Sequence, residues 1–137
     1  MKCLRVYEGH KQAVTTVAVT TDDRFVVSGS DDMTIRIWDF VTTKCLRICK
    51  GHTQAVTTVT LIPNGRFAVS GSKDKTIRVW DLTTGQCLRT FEGHTQAITS
   101  VVTTSDGRFT ISGSSDNTLR VWEWDWELEQ RKKSDLP

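Results

Sequence analysis

The residues of this sequence that could do chemistry are serine, histidine and aspartate, which return together as sets. The first set is His10, Ser28 and Asp32, and Trp38 follows it. Side chains of these types can form a nucleophile, a base and an acid that orients the base, as in acyl transfer. Catalysis needs one set in a distinctive environment, whereas here equivalent sets recur and each ends on a tryptophan. We therefore interpret them as buried polar groups that satisfy one another, and we predict that the protein is not an enzyme.

The sequence contains no motif for metal binding, phosphate binding or dinucleotide binding. All three histidines belong to the sets, and the four cysteines include no CxxC pair, so we predict no metal site. The Ser-Gly-Ser segments at 28–30, 70–72 and 112–114 precede strands rather than helices, which favours turns over phosphate cradles. We also find no GxxxxGK[ST] or dinucleotide glycine motif, and we expect no cofactor.

Composition and charge narrow the classes of protein. The chain has 137 residues, 37% of them hydrophobic and 25% charged, as in one ordinary soluble domain. The formal net charge is +2, and lysine and arginine are spread through the chain, which argues against a nucleic-acid partner. No apolar run is long enough for a signal peptide or a membrane span. These features predict a cytoplasmic protein without a membrane or nucleic-acid partner.

The stretch around each set repeats at an interval of 42 residues. Residues 28–39 read Ser-Gly-Ser-Asp-Asp-Met-Thr-Ile-Arg-Ile-Trp-Asp, and closely similar sequences occupy 70–81 and 112–123. A Gly-His pair keeps the same spacing, at 9–10, 51–52 and 93–94. Three copies of one unit therefore fill nearly the whole length.

Each repeat predicts four short strands and no helix. The signals are alternating side chains and β-branched runs, and in the first repeat they give strands at 2–7, 14–20, 24–29 and 34–39. The β-branched density of 14–20 favours a strand that is buried on both faces. The turns that follow in the three repeats are Asp22-Asp23, Asn64-Gly65 and Asp106-Gly107, residues that tolerate a positive φ. Asp23 is expected to be the slightly strained member. The fold class is therefore all-β.

A repeat of about 42 residues with Gly-His at one end and Trp-Asp at the other resembles the WD40 repeat family along nearly the whole chain. The resemblance implies a β-propeller with one four-stranded blade per repeat, which serves as a rigid scaffold for protein–protein interaction. It also implies that a His, a Ser, an Asp and a Trp of each blade form a structural hydrogen-bonded network. The matching residues are His10, Ser28, Asp32, Trp38, His52, Ser70, Asp74, Trp80, His94, Ser112, Asp116 and Trp122.

The family match also suggests where partners bind. The candidate contact residues follow each histidine or precede each network aspartate, on the face where WD40 propellers usually bind partners. They are Lys11, Gln12, Asp31, Thr53, Gln54, Lys73, Thr95, Gln96 and Ser115. Their near-repetition suggests a surface that could bind a protein or peptide multivalently, although each residue is as readily explained as solvated loop.

The two ends of the repeat array are predicted to be complementary. The blades are expected at about 8–49, 50–91 and 92–123, and a polar tail at 127–137. If the repeat continued, the fourth, outer strand of blade 3 would have Cys-Leu-Arg at 129–131. Glu-Gln-Arg stands there instead, and Lys133 would lose its hydration at an inward position. The third blade is therefore expected to lack its fourth strand, which strand 2–7 could supply.

This complementarity predicts a ring closed by oligomerisation. Propellers typically have about four to eight blades, so three cannot close. A homodimer would have six blades and a homotrimer nine, which bracket the seven that the WD40 family favours, and we prefer the trimer. The alternative is that the chain is the C-terminal or excised part of a longer WD40 array, which regulates a larger signalling protein.

The cysteines and the tail complete the sequence-based expectations. Cys3, Cys45 and Cys87 stand 42 positions apart, and Cys49 is additional. Equivalent positions lie far apart in a radial array, so we expect reduced, partly buried cysteines. Tryptophans at 122, 124 and 126 alternate with acidic residues. They could extend a strand, hook a partner or cap a blade edge, and we favour a frayed end that covers apolar surface.

Overall fold

Strands make up all the regular secondary structure of residues 1–63 and 65–124, which a computed structural model describes. No helix occurs among them, as the all-β prediction requires. The strands are β1 (Val14–Val19), β2 (Phe25–Ser30), β3 (Ile35–Asp39), β4 (Cys45–Cys49), β5 (Val56–Leu61), β6 (Phe67–Ser72), β7 (Ile77–Asp81), β8 (Cys87–Phe91), β9 (Ile98–Thr103), β10 (Phe109–Ser114) and β11 (Leu119–Glu123).

The strands form three antiparallel sheets in chain order, one for each repeat. Blade 1 consists of β1–β2–β3–β4 and blade 2 of β5–β6–β7–β8. Blade 3 has three strands, β9–β10–β11, within the described residues. Blades 1 and 2 thus have the four strands predicted for a complete blade, and β11 is the edge strand of blade 3 within the described residues. The residues at 129–133, on which the prediction for blade 3 was based, lie outside the described part of the chain.

Segment 2–7 pairs with no sheet among the described residues, and its pairing as an outer strand stays a prediction. The segment nevertheless shares a local feature with the paired outer strands: the Cys3 thiol lies 3.4 Å from the Arg5 carbonyl, like Cys45 and the Arg47 carbonyl. Its end is held by blade 1, where the Tyr7 hydroxyl donates to the Phe40 carbonyl at 2.6 Å. A strand needs a hydrogen-bonding neighbour, and the described part of the chain offers none at this place.

The blades pack side by side, with apolar side chains at each joint. The first cluster, which joins blades 1 and 2, contains Val27, Ile35, Ile37, Cys49, Val56, Val59, Ala68, Trp80 and Leu82. The second, which joins blades 2 and 3, contains Ile62, Phe67, Val69, Ile77, Val79, Ile98, Val101 and Trp124. Blade 2 is therefore covered on both sides, and its strand β6 is buried along its whole length.

The prediction that residues 14–20 are buried on both faces is wrong for β1. Val14 and Val17 are 53% and 66% exposed, whereas the equivalent Val56 in β5 is fully buried. The sequences of the two strands are nearly alike. The difference arises because β5 packs against blade 1, and no described residue covers the corresponding side of β1.

The turns between the first two strands of the blades have the predicted backbone. Asp23 has φ of 58°, and the equivalent Gly65 and Gly107 have φ of 75° and 72°. Asp23 is thus the one residue of the three with a side chain in the left-handed region, as predicted. Asn64 lies outside the described residues.

Trp124 is the last described residue, and it belongs to the core. Its ring meets Phe67 of blade 2 edge-on, with centroids 5.2 Å apart, and it is 7% exposed. Its backbone N–H donates to the Arg108 carbonyl at 3.2 Å. This contact agrees with the expectation that the tryptophan segment covers apolar surface. The predicted polar tail at 127–137 and Trp126 fall outside the described residues.

Candidate interaction site: polar networks and the loops they hold

A chain of hydrogen bonds crosses one end of blade 2. His52 lies in the loop before β5, Ser70 in β6, Asp74 in the turn after β6 and Trp80 in β7. The His52 Nδ1 atom is 2.8 Å from Asp74 Oδ2, and its Nε2 atom is 2.6 Å from Ser70 Oγ. The Trp80 indole N–H donates to Ser70 Oγ at 2.8 Å. One network therefore joins a loop, two strands and a turn.

The same network is present in the other two blades. In blade 1 the His–Asp, His–Ser and Trp–Ser distances are 2.8, 2.6 and 2.8 Å. In blade 3 they are 2.8, 2.7 and 2.8 Å. The structure thus brings together all the residues that the family resemblance assigned to networks. They are His10, Ser28, Asp32 and Trp38 in blade 1, and His94, Ser112, Asp116 and Trp122 in blade 3.

The proton positions of each network follow from its acceptors. An ionised Asp74 carboxylate can only accept, so the proton of a neutral His52 ring lies on Nδ1. The Nε2 atom then accepts from the Ser70 hydroxyl, which in turn accepts the indole N–H. All donors therefore point the same way along the chain, from tryptophan to aspartate.

These distances resemble a catalytic triad, but the serine is poorly placed for nucleophilic attack. The Ser70 and Ser112 side chains are fully buried, and Ser28 is 4% exposed. Each Oγ atom also accepts a hydrogen bond from the indole at 2.8 Å, which engages one of its lone pairs. A substrate carbonyl cannot approach such an atom without unfolding the blade. The geometry favours a structural role.

Sequence reasoning missed two further residues of each network. In blade 2 the Thr76 hydroxyl donates to Asp74 Oδ1 at 2.6 Å, and the Ser72 hydroxyl oxygen accepts from the Asp74 backbone N–H at 3.0 Å. The equivalent threonines are Thr34 and Thr118, and the equivalent serines Ser30 and Ser114. The signal was available, because these positions recur at the same interval in the Ser-Gly-Ser-x-Asp-x-Thr stretch.

Hydrogen bonds hold the network aspartates in the ionised form. Burial alone would raise the pKa of Asp74, but the bonds from His52, Thr76 and the Thr53 N–H outweigh it, so the pKa lies well below its ordinary value. The pKa of Asp116 is lowered first by the hydrogen bond from Thr118. The carboxylates are therefore charged acceptors at any physiological pH, and each fixes several donors at once.

The networks fix the backbone of the loops that carry the candidate contact residues. In blade 2 the Thr53 N–H donates to Asp74 Oδ2 at 3.0 Å, and the Gln54 carbonyl accepts from Ser72 Oγ at 3.1 Å. The Lys73 N–H donates to the Ala55 carbonyl at 2.9 Å. The loop after the histidine and the turn before the aspartate are thus joined at one end of the blade.

The side chains of these loops remain accessible. Of the candidate residues, Asp31 is half-buried, and the others are exposed: Lys11, Gln12, Thr53, Gln54, Lys73, Thr95, Gln96 and Ser115. Each blade therefore presents a similar group of polar side chains on a constrained backbone. Such a surface loses little conformational entropy of the backbone on binding.

Metal and thiol chemistry have little support in the described residues. Within 1–63 and 65–124, no three His, Cys, Asp or Glu side chains are close enough together to hold a metal ion. The four cysteines are all free thiols; Cys3 and Cys45 are exposed, Cys87 is half-buried and Cys49 is buried. The expected partial burial thus describes Cys87 alone. In the same part of the chain, no helix has the length and apolar character of a membrane span.

The repeats match a known family. The profile described as "WD domain, G-beta repeat" matches residues 1–39, 43–81 and 85–123. The chain belongs to the WD40 repeat family. Its blades and networks are therefore those of WD40 repeats. Proteins built from such repeats generally act as scaffolds for protein–protein interaction.

The curated WD40 relatives match this chain over single repeats. The vegetative incompatibility protein HET-E-1 of Podospora anserina is 51% identical over 37 residues, which are 27% of this chain and 3% of that protein. The transcriptional repressor rco-1 of Neurospora crassa is 42% identical over 38 residues, 28% of this chain and 6% of the relative. The human WD repeat-containing protein 18 is 46% identical over 35 residues, 26% and 8% of the two chains. The matched WD40 segments thus cover less than a tenth of these relatives.

Proposed function

We propose that this WD40 chain is a non-catalytic scaffold that binds a protein or peptide through the loops held by its networks. The proposal is supported by the exposed side chains of Thr53, Gln54 and Lys73 on a backbone that Asp74 and Ser72 fix. Equivalent loops in the neighbouring blades repeat the same surface, so a partner with repeated motifs would gain from several contacts at once. The cytoplasmic location predicted from the sequence stays a prediction.

We further propose that the chain assembles with copies of itself into a closed ring. The observation that supports this proposal is that segment 2–7 pairs with no sheet, and that β11 leaves an open edge on blade 3, within the described residues. Leu4 and Val6 are 74% and 63% exposed, and Leu119 and Val121 in the edge strand β11 are 77% and 66% exposed. An apolar edge of this kind invites pairing with another strand. Segment 2–7 of one copy would complete blade 3 of the next by strand addition.

The register of this pairing follows from the complete blades. In blade 1 Ile35 lies opposite Cys49 and Arg36 opposite Ile48, and blade 2 has the same register. Applied to blade 3, it places Tyr7 of one copy opposite Leu119 of the other, and Val6 opposite Arg120. Tyr7 and Phe91 already make the same kind of contact with the network tryptophan that follows each of them in the chain. The Tyr7 ring lies 5.9 Å from the Trp38 ring, and the Phe91 ring lies 5.4 Å from the Trp122 ring.

The number of chains in the ring is proposed to be three. A heterologous, head-to-tail interface closes by cyclic symmetry, and two or three copies would give six or nine blades. Six blades bring the inner strands β1, β5 and β9 closest together, and overpacking costs about 1–3 kcal/mol per misfit. Nine blades relieve that crowding around a wider channel. We therefore prefer the trimer to the dimer.

A disulfide between paired strands tests the assembly and counts its chains. The variant Val6→Cys/Arg120→Cys, with the four native cysteines replaced by serine, places the two new Cβ atoms about 4.5–5.5 Å apart across the proposed ladder. Mild oxidation should link chains covalently, and the mass under denaturing conditions should be that of a trimer. The control Leu4→Cys/Arg120→Cys shifts the register by two residues and should link poorly. A folded wild-type monomer at micromolar concentration, measured by light scattering, would refute the ring, and a dimer would refute only the trimer.

A second candidate function is that the chain forms part of a longer WD40 array. The observation in its favour is that the chain matches single repeats of much longer proteins. Blades of the same polypeptide would then cover β1 and complete blade 3, and the array could regulate a larger signalling protein. The mass of the protein in its native cells distinguishes the two, because a 137-residue polypeptide excludes the longer array.

A further inference from the structure

The joint between two blades depends on one glycine. A Cβ atom on Gly29 of β2 would lie 2.6 Å from Cγ1 of Val56 in the next blade, and one on Gly71 of β6 would lie 2.4 Å from Cγ2 of Ile98. Real Cβ contacts are not this short. Val56 and Ile98 are both fully buried. Each joint is therefore a β-branched side chain seated over a glycine of the preceding blade.

Hydrogen bonds from the inner strand strengthen the same joint. Thr15 Oγ1 donates to the Val56 carbonyl at 2.5 Å, and Thr57 Oγ1 donates to the Ile98 carbonyl at 2.5 Å. The threonine one residue later accepts in return, as Thr16 Oγ1 does from the Val59 N–H at 3.1 Å. The two joints inside the chain thus share the same apolar contact and the same hydrogen bonds.

The chain also carries both halves of a third joint. On blade 3, a Cβ atom at Gly113 would meet only Leu119 and Thr99 of its own blade, at 3.5 and 3.7 Å, and Thr99 is exposed. On blade 1, Val14 and Val17 occupy the positions of Val56 and Val59 but are more than half exposed. The first half is the blade 3 face around Gly113, and the second is the β1 face that carries Val14 and Val17. No described residue of another blade covers either face.

We propose that the face of blade 3 around Gly113 is the docking surface for β1 of a second copy of this chain. Val14 of the second copy lies over Gly113, and Thr99 Oγ1 donates to the Val14 carbonyl. The inference rests on the proposed self-assembly and adds the packed face to the strand exchange. The occupant is a second copy because its β1 has the residue types that fill both internal joints, and because the new joint continues an existing series of blades.

The substitution Gly113→Ala tests the docking surface without disturbing the monomer. Inside the chain the new methyl group makes ordinary contacts of 3.5 Å or more, and Gly113 does not have a left-handed backbone. Across the proposed joint it would overlap a methyl group of Val14, as the values at Gly29 and Gly71 indicate. Gly113→Ala should weaken association about tenfold or more, measured by sedimentation equilibrium, while near-UV circular dichroism matches the wild-type monomer. Ser105→Ala, a change in an exposed turn of the same blade, is the matched control.

A second-site change identifies the contact. Val14→Ala removes the methyl groups that would overlap, so Gly113→Ala/Val14→Ala should associate more tightly than Gly113→Ala alone. If Gly113→Ala associates like the wild type, or if Val14→Ala does not improve it, the docking geometry is overturned. The disulfide between Val6→Cys and Arg120→Cys would still form in those cases if strand exchange is correct. A wild-type chain that stays monomeric and does not cross-link overturns both proposals.

Discussion

Replacing Ser70 with alanine should destabilise the protein far more than the loss of one hydroxyl group suggests. Its Oγ atom connects the Trp80 indole at 2.8 Å to the His52 ring at 2.6 Å, and all three residues are buried. Alanine leaves two buried polar atoms without partners, and each costs about 1–3 kcal/mol. We expect the free energy of unfolding to fall by about 2–6 kcal/mol, and the melting temperature by roughly 10 °C.

The assay is urea unfolding followed by tryptophan fluorescence, with Ser105→Ala, an exposed turn serine, as the control. Trp80→Phe removes the indole N–H. In that background, Ser70→Ala therefore no longer leaves a buried N–H without an acceptor. The cost of Ser70→Ala/Trp80→Phe should therefore be smaller than the sum of the single costs by about 1 kcal/mol. Equal stabilities of Ser70→Ala and Ser105→Ala, or strictly additive single costs, would refute the network argument.

Three further predictions concern backbone strain, pH and thiols. Thr43 has φ of 65° where the equivalent Gly85 has 77°, so Thr43→Gly should raise the free energy of unfolding by about 1 kcal/mol and Gly85→Thr should lower it, both read from urea midpoints. Because the pKa of Asp74 is lower in the folded than in the unfolded protein, its stabilising effect is complete above about pH 5 and is lost as the pH falls through about 4 and below; Asp74→Asn should flatten the pH dependence of the urea midpoint there. Burial, with the neighbouring thiols of Cys45 and Cys87, raises the pKa of Cys49 to about 12, so maleimide should modify Cys45 rapidly and Cys49 only after unfolding, as mass spectrometry of the peptides can show.

Much of the blade could be predicted from the sequence because its contacts are local and repeat. His52 and Asp74 are 22 positions apart, and Ser70 and Trp80 are 10 apart, so each network falls within one repeat. The left-handed turn residue Asp23 was also predictable, since glycine stands at the same position in the other copies. The threonines Thr34, Thr76 and Thr118 were missed although they repeat too, because a threonine next to a strand is readily taken for a strand former.

Burial could not be predicted in the same way. The runs at 14–19 and 56–61 have nearly the same composition, yet Val14 is 53% exposed and Val56 is fully buried. Segment 2–7 was predicted as a strand from its alternation, and it pairs with no sheet among the described residues. In both places, burial or pairing depends on which segment of the protein lies alongside. The residue pattern of a single strand does not contain that information.

By itself, the sequence determined the three repeats, their strands and turns, and the partners within each network, because identical spacing places identical residues in identical local geometry. Only the tertiary structure decided which copies of a residue are buried and which blade edges are left open. Gly29, Gly71 and Gly113 are equivalent in sequence, but only the first two lie against a side chain of a following blade. The physical reason is that burial and steric contact belong to pairs of blades, and a repeat at the end of the described array has a neighbour on one side alone.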